Sequence, residues 1–152
     1  MILVPKSDFD LVAIDDEKSA IVDHGRQTQS NVRGTMLELC ASYKDWFLVF
    51  TTDNTPFEDM LHVHLLDNNF NILDSFTIGA MYSTGSFSEP QLIAPNKIVF
   101  RFIGDTDWTI TILDRTKLGL PYLSPIKGVR RAWQCRQYLE ISGQPKPEFY
   151  SK

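Results

Sequence analysis

The stretch KIVFRFIGDTDWTITI, residues 97–112, decides the fold class of this chain. Large apolar side chains recur at every second position on both sides of a polar Gly-Asp-Thr-Asp segment, which supplies the residues that turns favour. A period of two is typical of a half-buried β-strand, so the stretch predicts an antiparallel hairpin with one buried face. The apolar side chains on that face are Ile98, Phe100, Phe102, Trp108, Ile110 and Ile112.

Other short apolar runs flank this hairpin and also predict strands. They lie at residues 11–14, 20–22, 36–43, 46–52, 61–66 and 72–78. The run at 46–52 is apolar on both faces, which is typical of a central strand covered on both sides. Trp133, Cys135, Leu139 and Ile141 have the even spacing of a last strand. Residues 24–35, almost without large apolar side chains, and residues 79–90, rich in Ser, Thr and Gly, are predicted to be loops.

The sequence therefore predicts an all-β or β-dominated fold with little helix. We expect a single antiparallel domain of about eight to ten strands, arranged as one sheet, a sandwich or a half-barrel. The domain should span residues 1–143, and residues 144–152, with Pro145 and Pro147, should form a loose C-terminal tail. The predicted core consists of Leu37, Leu39, Trp46, Leu48, Phe50, Leu61, Val63, Leu65, Ile98, Phe100, Phe102, Trp108, Ile110 and Ile112.

Composition excludes several classes of protein. No apolar run approaches the roughly 18 residues of a membrane span, so no membrane association is expected. The first ten residues contain Lys6, Asp8 and Asp10 and lack the apolar segment of a secretory signal. The chain has only two cysteines and no Cys-x-x-Cys pair, so a disulfide framework is not expected. These features predict a cytoplasmic protein, in the compartment where thiols stay reduced.

His62 and His64 are the most site-like pair in the sequence. Residues two apart on a strand point to the same side, so both imidazoles could bind one zinc ion, with Asp53, Glu58, Asp59 or Asp67 as a third ligand. The simpler interpretation is that Leu61, Val63 and Leu65 fill the core while the histidines face solvent. We favour the simpler interpretation and predict no metal and no cofactor. A barrel that binds a small ligand or metal through His62 and His64, with or without enzymatic activity, stays an alternative.

The charge is distributed unevenly along the chain. The formal net charge is −4, but thirteen acidic and five basic residues give −8 for residues 1–76, and six acidic and ten basic residues give +4 for residues 77–152. Six bases and no acid lie between residues 115 and 136, and Arg130, Arg131 and Arg136 could form a nucleic-acid surface. A net acidic chain disfavours non-specific binding to nucleic acid, so this class is the third alternative.

Acidic residues in the first half concentrate in two predicted turns. They are Asp15, Asp16 and Glu17 in one turn, and Asp53, Glu58 and Asp59, beside the aromatic Phe57, in the other. An aromatic residue flanked by charge is typical of protein interfaces, and complementary charge speeds the encounter with a basic partner. We therefore predict that these seven residues bind a basic protein partner.

A small, acidic, single-domain β-protein without a catalytic motif resembles the immunity proteins of bacterial polymorphic toxins and contact-dependent growth inhibition systems. The resemblance is one of size, charge and acidic loops, carried by Asp15, Asp16, Glu17 and residues 53–59. It implies a non-enzymatic inhibitor that neutralises a cognate toxin. Many such toxins are basic nucleases, and the acidic loops would then stand in for the phosphates of the nuclease substrate.

Overall fold

The computed structural model of the chain describes residues 1–55, 59–79, 85–118, 126–131 and 136–146. These residues form β-strands and turns, and no helix occurs among them. Within the same ranges, no helix has the length and apolar character needed to cross a membrane. The strands, numbered along the chain, are β1 (Ile2–Leu3), β2 (Phe9–Ala13), β3 (Lys18–Asp23), β4 (Arg26–Arg33), β5 (Met36–Tyr43), β6 (Trp46–Thr52), β7 (Leu61–Leu66), β8 (Ile72–Ile78), β9 (Ser88–Ile93), β10 (Lys97–Arg101), β11 (Asp107–Leu118), β12 (Val129–Arg131) and β13 (Arg136–Ser142).

The strands form three antiparallel sheets. The largest has the order β1-β5-β6-β7-β8-β12, the second β13-β11-β10-β9, and the third β2-β3-β4. The prediction of a β-dominated antiparallel fold is confirmed. The number of strands in the described ranges exceeds the predicted eight to ten, partly because β1 and β12 have only 2 and 3 residues and leave almost no sequence signal.

The main core lies between the six-stranded and four-stranded sheets. It joins Leu48, Phe50, Leu61, Val63 and Leu65 of the first sheet to the hairpin β10–β11 of the second. Each fully buried side chain of this size contributes about 1.5–3 kcal/mol to the free energy of unfolding. The hairpin has the predicted antiparallel pairing, and its five pairs lie on consecutive residues from Lys97↔Thr111 to Arg101↔Asp107. Leu37, Leu39, Trp46 and Phe102, predicted for the core, are only partly buried.

A second apolar cluster lies on the opposite face of the six-stranded sheet. There Phe9, Ile21 and Val32 of the three-stranded sheet pack against Cys40, Val49 and Leu66. Strand β6 therefore has a core on each face, which confirms the prediction from its continuous apolar sequence. The result is a three-layered arrangement, with the six-stranded sheet in the middle.

Two of the predicted loops contain strands. Residues 26–33 form β4, which pairs with β3, although this region was predicted to be an exposed loop. The prediction was wrong because only Val32 is buried in β4 and the other side chains are polar, so no apolar alternation is visible. Strand β9 likewise begins at Ser88, inside the region predicted as a loop at 79–90, of which residues 80–84 lie outside the described residues.

The start of the predicted C-terminal tail contacts the turn between β10 and β11. The Lys146 N–H donates to the Gly104 carbonyl at 3.1 Å, and the Lys146 ammonium lies 2.6 Å from a carboxylate oxygen of Asp105. Trp133 and Cys135 of the predicted last strand lie outside the described residues, whereas Leu139 and Ile141 belong to β13. Residues 147–152 also lie outside the described part.

Asp74 connects the six-stranded sheet to the four-stranded sheet. Its carboxylate is fully buried and accepts hydrogen bonds from the Arg131 guanidinium at 2.7 Å and from the backbone N–H groups of Tyr138 and Leu139 at 2.9 Å. The Arg131 guanidinium also donates to the Leu139 carbonyl at 2.8 Å. One carboxylate of β8 thus joins β12 of its own sheet to β13 of the other.

Candidate functional site

The first acidic turn, between β2 and β3, is held rigidly by Asp15. One oxygen of its carboxylate accepts the backbone N–H groups of Glu17 and Lys18, both at 2.8 Å. These hydrogen bonds lower the pKa of Asp15, so the carboxylate stays ionised at neutral pH. Asp16 and Glu17 are exposed, and their carboxylates form no hydrogen bond or ion pair within the described part of the chain.

The second acidic segment follows β6 and is tied to the sheet. The Asp59 carboxylate accepts the backbone N–H of Asp53 at 2.9 Å, and the Asp53 carboxylate lies 2.7 Å from Nε2 of His62. The Asp53 side chain is only 20% exposed, so it offers less to a partner than the sequence suggests. Phe57 and Glu58 lie outside the described residues.

Two hydrogen bonds from neighbouring residues bring the two acidic segments to the same edge of the molecule. The Gly34 N–H donates to the Glu17 carbonyl at 2.7 Å, and the hydroxyl of the next residue, Thr35, donates to the Asp53 carbonyl at 3.2 Å. Gly34 has φ +100°, and a Cβ there would collide with the Thr51 side chain. The close approach of this link to β6 therefore requires glycine.

His62 is fully buried, and both of its ring nitrogens have partners. Nε2 faces the Asp53 carboxylate at 2.7 Å, and Nδ1 lies 2.8 Å from the hydroxyl of Thr77. An ionised carboxylate only accepts, so Nε2 carries the proton. The result is a buried Asp53–His62–Thr77 chain, in which the hydroxyl of Thr77 on β8 is held in place.

His64 is buried on the same face but has only one partner. Its Nε2–H donates to the Arg33 carbonyl at 3.0 Å, and burial lowers the pKa of His64 to about 4. The ring is therefore neutral at neutral pH, and Nδ1 is a hydrogen-bond acceptor. No group in the described residues donates to this nitrogen, which is sealed from bulk solvent.

The histidine pair differs from both interpretations of the sequence. Leu61, Val63 and Leu65 fill the main core as predicted, but His62 and His64 do not face solvent, because they lie on the sheet face shared with the second apolar cluster. Their rings stack with centroids 6.4 Å apart. No group of three or more His, Cys, Asp or Glu side chains that could hold a metal ion occurs among the described residues.

The three arginines proposed for nucleic acid do not form one surface. Arg130 pairs with Thr77 and Arg131 with Phe76, so these neighbours point to opposite faces of the six-stranded sheet. Arg131 binds the buried Asp74, and the exposed Arg136 belongs to the other sheet. Of the three, Arg130 alone projects to the sheet face that carries the histidines.

A cavity of about 310 Å³ opens beside the histidines, near the edge of the three-stranded sheet. The residues that line it are Arg33, His64, Ser75, Phe76, Thr77, Arg130 and Arg131. The register explains this grouping, because Ser75 pairs with His64 and Thr77 pairs with both His62 and Arg130. Paired residues on antiparallel strands project to the same face, so three neighbouring strands supply one polar wall.

Sequence reasoning missed Arg33, Ser75 and Thr77. The local signal for the two hydroxyls is the alternation in β8, where Leu73, Ser75 and Thr77 are partly buried between the buried Asp74, Phe76 and Ile78. No local sequence signal marks Arg33 as a residue of the cavity. Its position depends on the pairing of β4 with β3 and on the hydrogen bond that its carbonyl accepts from His64.

The fold and the site thus define a three-layered antiparallel β-protein with an acidic edge and a neighbouring cavity lined by arginine and histidine. Comparison of the chain with protein-family models, with curated proteins and with solved structures found no match.

Proposed function

We propose that this protein is a non-enzymatic binding module of the immunity or inhibitor type, which neutralises a basic partner protein, such as a nuclease toxin, through its acidic edge. The observation that carries the proposal is the pair of hydrogen bonds from Gly34 and Thr35 to Glu17 and Asp53, because it supports a single surface built from two acidic turns that are distant in sequence. We define the acidic edge as Asp15, Asp16, Glu17, Asp53 and Asp59, with Phe57 and Glu58 from the same segment.

The rigidity of the first turn supports this function. Asp15 fixes the backbone of Glu17 and Lys18, so Asp16 and Glu17 are presented without the cost of ordering a mobile loop on binding. Neither of these two carboxylates forms a hydrogen bond or an ion pair within the described part of the chain. They are therefore free to pair with lysine or arginine side chains of a partner.

The chemical class of the partner follows from the charge. Exposed carboxylates steer a basic protein toward the surface and act mainly on the association rate. A partner that binds nucleic acid carries such a basic surface, and a carboxylate cluster resembles the phosphates it normally binds. Phe57 would supply the apolar anchor of the interface, as aromatic residues often do.

The test begins with capture of binding proteins from the source cell on the immobilised full chain, followed by identification of the bound proteins by mass spectrometry. A basic protein captured in this way is then produced separately, and its binding is measured by surface plasmon resonance over a series of salt concentrations. The double variant Asp16→Asn with Glu17→Gln should slow association and flatten the salt dependence, while its unfolding midpoint in urea stays that of the wild type.

Asp45→Asn is the matched control, because Asp45 is an exposed carboxylate in the β5–β6 turn, outside the acidic edge. It should leave both rates unchanged. Phe57→Ala should speed dissociation and cost about 2 kcal/mol of binding free energy. Unchanged kinetics of the double variant at every salt concentration would overturn the proposal, and so would a captured partner with an acidic surface.

A further inference from the structure

The cavity beside the histidines carries positive charge that the protein does not neutralise. Arg33 and Arg130 line it, and neither guanidinium forms an ion pair with a carboxylate in the described residues. The Nη2 atom of Arg130 lies 3.0 Å from the sulfur of Met60, which is a weak acceptor. Arg131, by contrast, forms an ion pair with Asp74. Two uncommitted guanidinium groups at one cavity are suited to an anion with several oxygens.

The remaining side chains of the wall set a pattern of donors and acceptors. The hydroxyl of Ser75 has no hydrogen-bond partner among the described residues and can donate, whereas the Thr77 hydroxyl is held by His62. His64 is neutral and its Nδ1 can only accept. A buried acceptor without a donor costs about 1–3 kcal/mol, so such an atom calls for a functional explanation.

We propose that this cavity is a binding site for a phosphate group that keeps at least one P–OH proton, carried by inorganic phosphate or by a phosphate monoester. The charged oxygens would accept hydrogen bonds from Arg33, Arg130 and Ser75. One P–OH group would donate to Nδ1 of His64 and supply its missing partner, after a small shift of the side chains that cover this atom in the free protein. The volume of about 310 Å³ accommodates a phosphate with a small substituent and lies at the lower end of ligand pockets.

The pattern disfavours fully ionised oxyanions of the same shape. Sulfate has the same tetrahedral arrangement of oxygens but no hydrogen to donate at pH 6 or above. It would place a lone pair against the lone pair of His64 Nδ1. The site should therefore prefer phosphate over sulfate by about 10-fold or more, which corresponds to one unsatisfied buried polar group. This site is separate from the acidic edge, and neither proposal depends on the other.

Isothermal titration calorimetry of the full chain at about pH 6, near the second pKa of a phosphate monoester, tests the site. Inorganic phosphate, phenyl phosphate and sulfate are the probes. Phosphate should bind to the wild type, and Arg33→Gln and Arg130→Gln should each weaken binding by about 10-fold or more. Arg26→Gln is the control, because it removes the same charge from an exposed position at the other end of β4 and should leave binding unchanged.

The three probes separate the possible outcomes. Tighter binding of phenyl phosphate than of inorganic phosphate identifies a monoester site, and the reverse order identifies a site for the free ion. Equal binding of sulfate and phosphate overturns the role of His64 and the phosphate class. No binding of any probe up to tens of millimolar, or equal loss in Arg26→Gln, overturns the site as a whole.

Nitrogen-15 NMR of the histidine side chains measures the chemical shift of each ring nitrogen, which reports on the contact itself and not on the stability of the fold. In the free protein the Nδ1 of His64 should have the shift of an unprotonated nitrogen without a hydrogen bond, because Nε2 carries the proton. Phosphate should move that resonance and leave the signals of His24, which lies in an exposed turn, in place. An unmoved His64 resonance in phosphate-saturated protein would refute the assigned contact.

Discussion

Replacement of Asp74 by alanine should lower the free energy of unfolding by about 3–5 kcal/mol, the range for a buried ion pair that loses one partner. The carboxylate is fully buried, and Arg131, its charged partner, is only 17% exposed. Truncation would leave the guanidinium without its anion and would leave the N–H groups of Tyr138 and Leu139 without an acceptor. Each such loss costs about 1–3 kcal/mol, and the losses overlap because they share one site.

Urea unfolding followed by tryptophan fluorescence measures this change, provided that the dependence on urea keeps the wild-type slope. Asp114→Ala is the matched control, because Asp114 is 65% exposed and pairs on the surface with Lys44. That control should leave the midpoint nearly unchanged, since exposed ion pairs contribute little. If Asp74→Ala alone does not fold, the double variant with Arg131→Met should recover part of the loss, because no unpaired cation remains. An Asp74→Ala midpoint equal to that of Asp114→Ala would refute the role of this carboxylate between the sheets.

Three further predictions concern single side chains. Phe100→Ala should lower the free energy of unfolding by about 3–5 kcal/mol, because the ring is fully buried against Phe50 and Phe87. Lys97→Ala on the same strand should hardly move the urea midpoint. Equal shifts of the midpoint in the two variants would mean that the faces of β10 are reversed. Stability should fall as the pH drops from about 6.5 to about 4, because burial lowers the pKa of His64 to about 4 in the folded state and the unfolded chain then binds the extra proton. His64→Gln should lack that part of the slope in urea melts over a pH series, and an unchanged slope would contradict the assignment. The thiol of Cys40, whose pKa burial raises to about 12, should react with Ellman's reagent only after unfolding in a Cys135→Ser background, and prompt reaction of the native protein would show that β5 is open to solvent.

The β-hairpin at 97–112 and the central strand β6 could be predicted from the sequence because both signals are local. Alternation places Phe100 and Trp108 on one face whatever surrounds them, and a strand that is apolar on both faces needs two covering layers. Strand β4 could not be found in this way. It lies at an edge of the three-stranded sheet, and Val32 is its only buried side chain, so its polar sequence has the character of a loop.

The polar site was less accessible to sequence reasoning than the core. The spacing of His62 and His64 correctly predicts that both rings lie on one face, but spacing does not tell whether that face is exposed to solvent or covered by another sheet. Their burial depends on the three-stranded sheet and on partners brought by other strands, namely Asp53, Thr77 and the carbonyl of Arg33. Arg33 and Arg130 lie far apart in the sequence, so only the register of the folded sheets makes them neighbours.

The order of strands in the six-stranded sheet has a consequence for synthesis on the ribosome. Strands β5 to β8 are consecutive in sequence and pair in that order, so they can assemble as soon as residue 78 has emerged. One edge is then covered by β1, which is already present, but the other waits for β12 at residues 129–131. Until then the outer side of β8 offers unpaired backbone groups to other nascent chains, the kind of edge that leads to aggregation. A pause in translation between β8 and β12 would therefore be the most hazardous interval for this protein, and a chaperone bound to β8 would protect it most.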